Sequence, residues 1–179
     1  MMRIPLLLAL VLFVGLSCEI YAQDAGQRTR ELVAALDKTK YKKKEKANIS
    51  IEVFVDIKNE AAVRSDPTEY SGSYDSEDYR MTLSVSKDGS ATGEGYDLVG
   101  DNARRMNFTL RDARIQGALL TGTKLYDGRA PQPFEGVFTN RTVSTGKNVN
   151  QIDSRETLFG IGFIQTNSSW TNRVFLERR

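Results

Sequence analysis

The sequence predicts an all-β protein, an antiparallel up-and-down β-barrel of about eight or nine strands behind a short N-terminal helix, with a β-sandwich as the alternative. Three observations carry this expectation. From Ile49 onward apolar residues recur at every second position, the period of a half-buried strand. The runs are separated by turn dipeptides, Asp88-Gly89, Gln116-Gly117 and Asp127-Gly128, at hairpin spacing. No helical pattern intervenes between them, and consecutive hairpins build barrels naturally because closure removes exposed edges.

The first element is an address. Arg3 precedes an apolar run from Ile4 to Leu16, and Ala22 supplies a small residue before Gln23, so residues 1–22 read as a secretory signal peptide. The run is short for a bilayer span and no later stretch matches it, so no transmembrane segment is expected. The expected localisation is secreted or periplasmic. The alternative is a lipoprotein anchored through Cys18, which follows the small residue Ser17.

Residues 23–47 read as an amphipathic helix and a Lys-rich linker. Leu32, Val33, Ala35 and Leu36 cluster on one side, Asp24 and Gln27 suit the helix start, and the narrow apolar stripe must lie on one end or side of the next domain. Lys38–Lys46 then holds six lysines and one glutamate, against a net charge of +2 for the whole chain. This run is either a solvated linker or a patch for an anionic envelope surface.

Residues 48–179 are the expected barrel domain. Ile49, Ile51, Val53, Val55 and Ile57 form one strand face, and Tyr79, Met81, Leu83 and Val85 the next inward set. The return strand, about Ala91 to Leu98, places Gly93 and Gly95 on one face, which suggests a sharp bend or a close approach. Met106, Phe108 and Leu110 alternate next, followed by two short strands around Gln116-Gly117. Phe134–Arg141 is a further strand, residues 143–153 read as a polar loop, and Phe159, Ile161 and Phe163 share a face opposite Gly160 and Gly162. The last strand is Arg173–Arg178.

Ser71-Gly72-Ser73-Tyr74 resembles the Gly-x-Trp/Tyr element near the start of lipocalin and avidin barrels (calycin-type). The succession of hairpins that follows, Ser71 to Arg179, is similar in layout. Lipocalins usually carry tryptophan where this chain has Tyr74, and avidins use several binding tryptophans where this chain has Trp170 alone. The resemblance implies a barrel shape and transfers no binding residue.

Composition excludes much chemistry. With no histidine and one cysteine there is no Ser-His-Asp triad, no Cys-His pair and no histidine ligand for zinc. Ser144-Thr-Gly-Lys147 matches an S-x-x-K pattern but lacks its partner motifs, and Asn148 breaks the phosphate-loop pattern, so it reads as a surface loop. Asp75, Glu77 and Asp78 read as a solvated acidic stretch rather than a calcium loop. N-x-S/T sequons start at Asn48, Asn107, Asn140 and Asn167, and Asn107 and Asn140 fall in predicted strands.

The expectation is therefore a non-catalytic β-barrel without cofactor, metal or nucleic-acid partner. It either binds a small apolar ligand inside, with Tyr74, Tyr126 and Trp170 as candidate ligand-binding residues at the barrel mouth, or has a filled barrel and works as an envelope-associated interaction protein.

Overall fold

The computed structural model describes residues 24–46, 49–99, 104–166 and 170–179. The expected signal segment with Cys18, and the sequons at Asn48 and Asn167, lie outside these residues. Residues 24–36 form helix α1. Ten strands follow: β1 (Lys38–Lys46), β2 (Ile49–Ala61), β3 (Gly72–Asp75), β4 (Arg80–Val85), β5 (Ser90–Val99), β6 (Arg104–Gln116), β7 (Leu119–Tyr126), β8 (Gln132–Asn148), β9 (Gln151–Thr166) and β10 (Thr171–Arg178).

Alternation decides which way each strand faces. In β4, Met81, Leu83 and Val85 are buried while Arg80, Thr82 and Ser84 are exposed, as the period of two requires. Along β6, Phe108 and Leu110 point in and Asn107, Thr109 and Arg111 point out. The outer wall over these strands is polar and the inside apolar, the reverse of a barrel built to face lipid. Among the described residues, no helix is long and apolar enough to cross a membrane.

Strands β3 to β10 pair each with the next, all antiparallel, and β10 returns to β3, closing an eight-stranded up-and-down barrel. The hairpin glycines sit where expected, with φ of 80° at Gly89, 62° at Gly117 and 70° at Gly128, a region that side chains with a Cβ avoid. The closing seam is narrow, pairing Glu177 with Asp75 and Arg178 with Tyr74. Side chains reinforce it. Arg178 donates to Glu69 O at 2.9 Å and to Ser71 O at 3.0 Å, and Arg179 donates to Asp75 Oδ1 at 2.6 Å. Asp75, in the acidic stretch, is thus held by Arg179 and, at 3.6 Å, by Arg80.

One end of the interior is aromatic. Phe138 stacks on Tyr70 at 4.1 Å between centroids and on Phe159 at 6.3 Å, with Tyr74 edge-on at 5.9 Å. The Tyr70 hydroxyl accepts from Arg64 N–H and lies within hydrogen-bond distance of Ala62 O and Gly117 O. This satisfies a polar group that would otherwise be costly to bury.

α1 covers one side of the barrel, not an end. Ile161 and Phe163 face inward, so Gly160 and Gly162 face outward. A Cβ on Gly162 would collide with Leu36 Cδ1, so the missing side chain is the socket into which Leu36 packs. Leu32 and Leu36 are buried there, Arg28 bridges to Glu135 at 2.7 Å, and Arg173 Nε donates to Ala35 O at 2.6 Å at the helix C-terminus. Gln27, expected beside the helix cap, donates to Glu31 instead.

Two sequence expectations change. The lysine run is a strand, β1, paired along its length with β2 from Lys38↔Ile57 to Lys46↔Ile49. The expected polar loop at 143–153 is a tight hairpin, because β8 runs to Asn148 and β9 begins at Gln151. Together β1, β2 and the far halves of β8 and β9 form a four-stranded extension beyond the ring, with β2 pairing Phe54–Ala61 against Gly146–Thr139. The ring itself has eight strands, within the eight or nine expected, and β1 and β2 are additional to it. Asn107 and Asn140 do lie in strands, β6 and β8.

Candidate functional site

The interior at the opposite end of the barrel from Tyr74 is polar at its centre. β7 sends Leu120, Gly122, Lys124 and Tyr126 to one face, and β5 sends Gly93, Gly95 and Asp97. The result is a buried ion pair, Lys124 Nζ to Asp97 Oδ2 at 2.6 Å, with side chains only 5% and 3% exposed. Tyr126 donates to the same carboxylate oxygen at 2.7 Å. Three phenylalanines surround the ammonium, with ring centroids 4.4 Å (Phe108), 4.1 Å (Phe134) and 4.8 Å (Phe163) from Nζ.

Electrostatics match this burial. Desolvation lowers the Lys124 ammonium below the ordinary lysine range, while the charge and hydrogen bond of Asp97 pull it back up. Burial, then the negative charge of Asp97, push the Tyr126 phenol far above its usual value. Tyr79 is raised by burial as well; its hydroxyl has Asn172 beside it but no hydrogen bond of good geometry. The cage of aromatic rings thus holds the chain's own ammonium where a cationic or apolar guest would sit.

The candidate ligand residues part company here. Tyr74 is fully buried in the aromatic core, its hydroxyl donating to Tyr70 O at 2.6 Å, so it stands in the packing rather than at a mouth. Burial pushes its pKa up to about 12. Tyr126 is at the polar end and is committed to Asp97. Trp170 precedes β10 and is half-buried. The structure does not gather the three into one site.

Gly93 and Gly95 face inward, yet the room they leave is taken. A Cβ on Gly93 would lie 2.7 Å from Thr82 O and 2.8 Å from Leu83 Cδ2, and one on Gly95 would strike Arg80 O. These glycines permit close approach of β4 and β5, the second of the two roles foreseen for them. They do not open a cavity.

Concave surface lies outside the ring. The outer faces of β4 to β7 form a polar groove of about 610 Å³ with Arg80, Glu94, Asn107, Arg111 and Asp127 on its walls. On its floor Tyr96 carries Arg105 over its ring at 4.5 Å and Arg80 at 5.8 Å. Beside it in β6, Asp112 takes φ of 51° at a bulge between Arg111 and Arg114. A smaller cleft of about 260 Å³ lies where the end of α1 meets β1, β2, β8 and β10. Its walls carry four cations, Lys38, Lys40, Arg141 and Arg173, with Leu36, Ile57, Thr171 and Asn172.

That basic cleft is organised by hydrogen bonds. Arg141 Nε donates to Asn59 Oδ1 at 3.1 Å, and its guanidinium lies 3.9 Å from the centre of the Phe175 ring. Asn59 in turn donates to Asp37 Oδ1 from its backbone N–H at 2.8 Å and from Nδ2 at 3.1 Å. The other oxygen of Asp37 faces Lys58 Nζ at 3.7 Å. Burial lowers Arg141 to about 10, and the charge of Asp37 opposes the shift. The lysine-rich composition of β1 was visible in the sequence; its meeting with Arg141 and Arg173 was not, because these residues lie on separate strands joined only by tertiary pairing. No known protein family matches the sequence, and neither a curated protein nor a solved structure matches the chain.

Proposed function

We propose that the protein is a non-catalytic, secreted or periplasmic binding barrel that works through its outer surface, docking to anionic phospholipid at the cell envelope through the basic face around β1. The observation that carries this reading is the convergence of Lys38, Lys40, Arg141 and Arg173 from three strands onto one cleft, beside a carboxylate, Asp37, already engaged by Asn59 and Lys58. The further lysines of β1 extend the same positive segment. The calycin-type likeness is kept as part of this proposal, with the Gly72-x-Tyr74 element opening the first ring strand.

An apolar ligand inside the barrel has less support. Tyr70, Tyr74, Phe138, Met81, Leu110, Leu120 and Ile161 are essentially without solvent contact, and Lys124 occupies the aromatic cage at the other end. Small eight-stranded barrels can be filled in this way by their own side chains.

Co-sedimentation of the purified mature chain with phosphatidylglycerol vesicles tests the docking. Replacing Lys42, Lys43 and Lys44 by Gln is expected to weaken retention by up to about a hundredfold, at about 1 kcal/mol per basic residue near the surface. Added salt should shrink the difference. Equal retention of wild type and variant at low salt would refute it.

A further inference from the structure

We propose that the cleft at the end of α1 is a specific site for one phosphate group on a small polyol, carried either by a soluble phosphomonoester or by a phospholipid headgroup. The proposal rests on the outer-surface reading for where the protein works, and on the cleft alone for its chemistry.

Several features separate this place from a diffuse basic patch. Lys38 and Lys40 come from β1, Arg141 from β8 and Arg173 from β10, so the fold brings the β1 lysines to arginines more than a hundred residues further along the sequence. Both guanidiniums are oriented through Nε, Arg141 on Asn59 Oδ1 and Arg173 on Ala35 O. A guanidinium has five donor hydrogens in a rigid fork, so an Nε anchor leaves donors for two oxygens of one phosphate. Phe175 backs the Arg141 plane at 3.9 Å, which fixes it further and keeps water from one side.

Arg141 is also already desolvated, as its lowered pKa reflects, so an incoming anion recovers interaction energy that water no longer provides. Asp37 divides its charge among Asn59 and Lys58 and does not neutralise Lys38, Arg141 and Arg173 as well. About 260 Å³ exceeds a bare phosphate and suits a short ester. Ile57 would cover the carbon chain of that ester, and the Thr171 hydroxyl, which donates to Thr166 Oγ1, can accept from one of its hydroxyls. A bulky sugar nucleotide would not fit, and an uncharged polyol would leave Lys38, Arg141 and Arg173 without an anion.

The test is isothermal titration calorimetry of the purified mature chain with glycerol 3-phosphate and inorganic phosphate at low ionic strength, alongside the vesicle assay. One saturable site is expected, weakened about tenfold by Lys38→Gln, an exposed position whose loss leaves the fold intact. Arg173→Lys keeps the charge at the end of α1 but loses the planar fork, and should weaken binding by a similar factor with an unchanged circular dichroism spectrum. If glycerol 3-phosphate also displaces the chain from phosphatidylglycerol vesicles, the headgroup is the ligand. If it binds without displacing, the ligand is the soluble ester, and the docking reading is judged by the β1 lysine variants alone. Absence of a saturable site, or sulfate binding equally well and unaffected by Arg173→Lys, overturns the proposal whatever the vesicles show.

Discussion

Lys124→Met asks how much the barrel depends on its buried charge. The wild-type pair is 2.6 Å apart with both side chains almost dry, so removing the ammonium strands the Asp97 carboxylate in a poorly solvated interior. Breaking one partner of such a pair costs about 3–5 kcal/mol. Tyr126 still donates to Asp97 at 2.7 Å, and a hydrogen bond to a charged acceptor offsets part of the loss, which places the expectation near the lower end, about 3 kcal/mol. Methionine retains contact with Phe108, Phe134 and Phe163 and so leaves little cavity.

Urea unfolding of the mature chain would then show a midpoint lower by roughly 1.5–2 M, for a slope of about 1.5–2 kcal/mol/M. Adding Asp97→Asn to Lys124→Met should recover at least about 2 kcal/mol relative to the sum of the single changes. A single-variant loss under about 1 kcal/mol would refute the reasoning, since it would mean that water reaches the pair.

Two further outcomes are expected. Burial raises the phenols of Tyr70, Tyr74, Tyr79 and Tyr126, Tyr74 to about 12, so the folded state keeps this stability below about pH 10 and loses it as pH rises through the folded values. Absorbance at the phenolate band should therefore rise together with unfolding, and phenolate signal from these four tyrosines before any loss of ellipticity would contradict it. Gly162→Val should displace Leu36 and cost about 1–3 kcal/mol, seen as faster tryptic cleavage at Arg28 or Arg30 while the barrel stays folded. Gly95→Ala instead meets the β4 backbone at Arg80 and should destabilise the barrel itself. Equal effects of the two on α1 cleavage would argue against the socket.

Much of the barrel was legible in residues. The inward set Tyr79, Met81, Leu83 and Val85, the turns at Gly89, Gly117 and Gly128, and the outward Gly160 and Gly162 all follow from local period and turn chemistry. β1 was legible too, and was misread through charge. Lys38, Lys40, Lys42, Lys44 and Lys46 alternate at the strand period, yet their sign suggested a linker. Lysine suits an exposed edge strand because it discourages further pairing.

The division follows from range. Alternation, turn residues and the opening amphipathic stripe are properties of neighbouring residues, and they alone determined an all-β chain of hairpins with a helix laid against it. Ring closure through Arg178 and Tyr74, the extension of β8 and β9 past the ring, the Lys124–Asp97 pair and the meeting of Lys38, Arg141 and Arg173 were decided by tertiary structure. Lys124 occupies an inward position of β7 by parity, but only a carboxylate delivered from β5 makes burying its charge tolerable, and no local pattern records that partner.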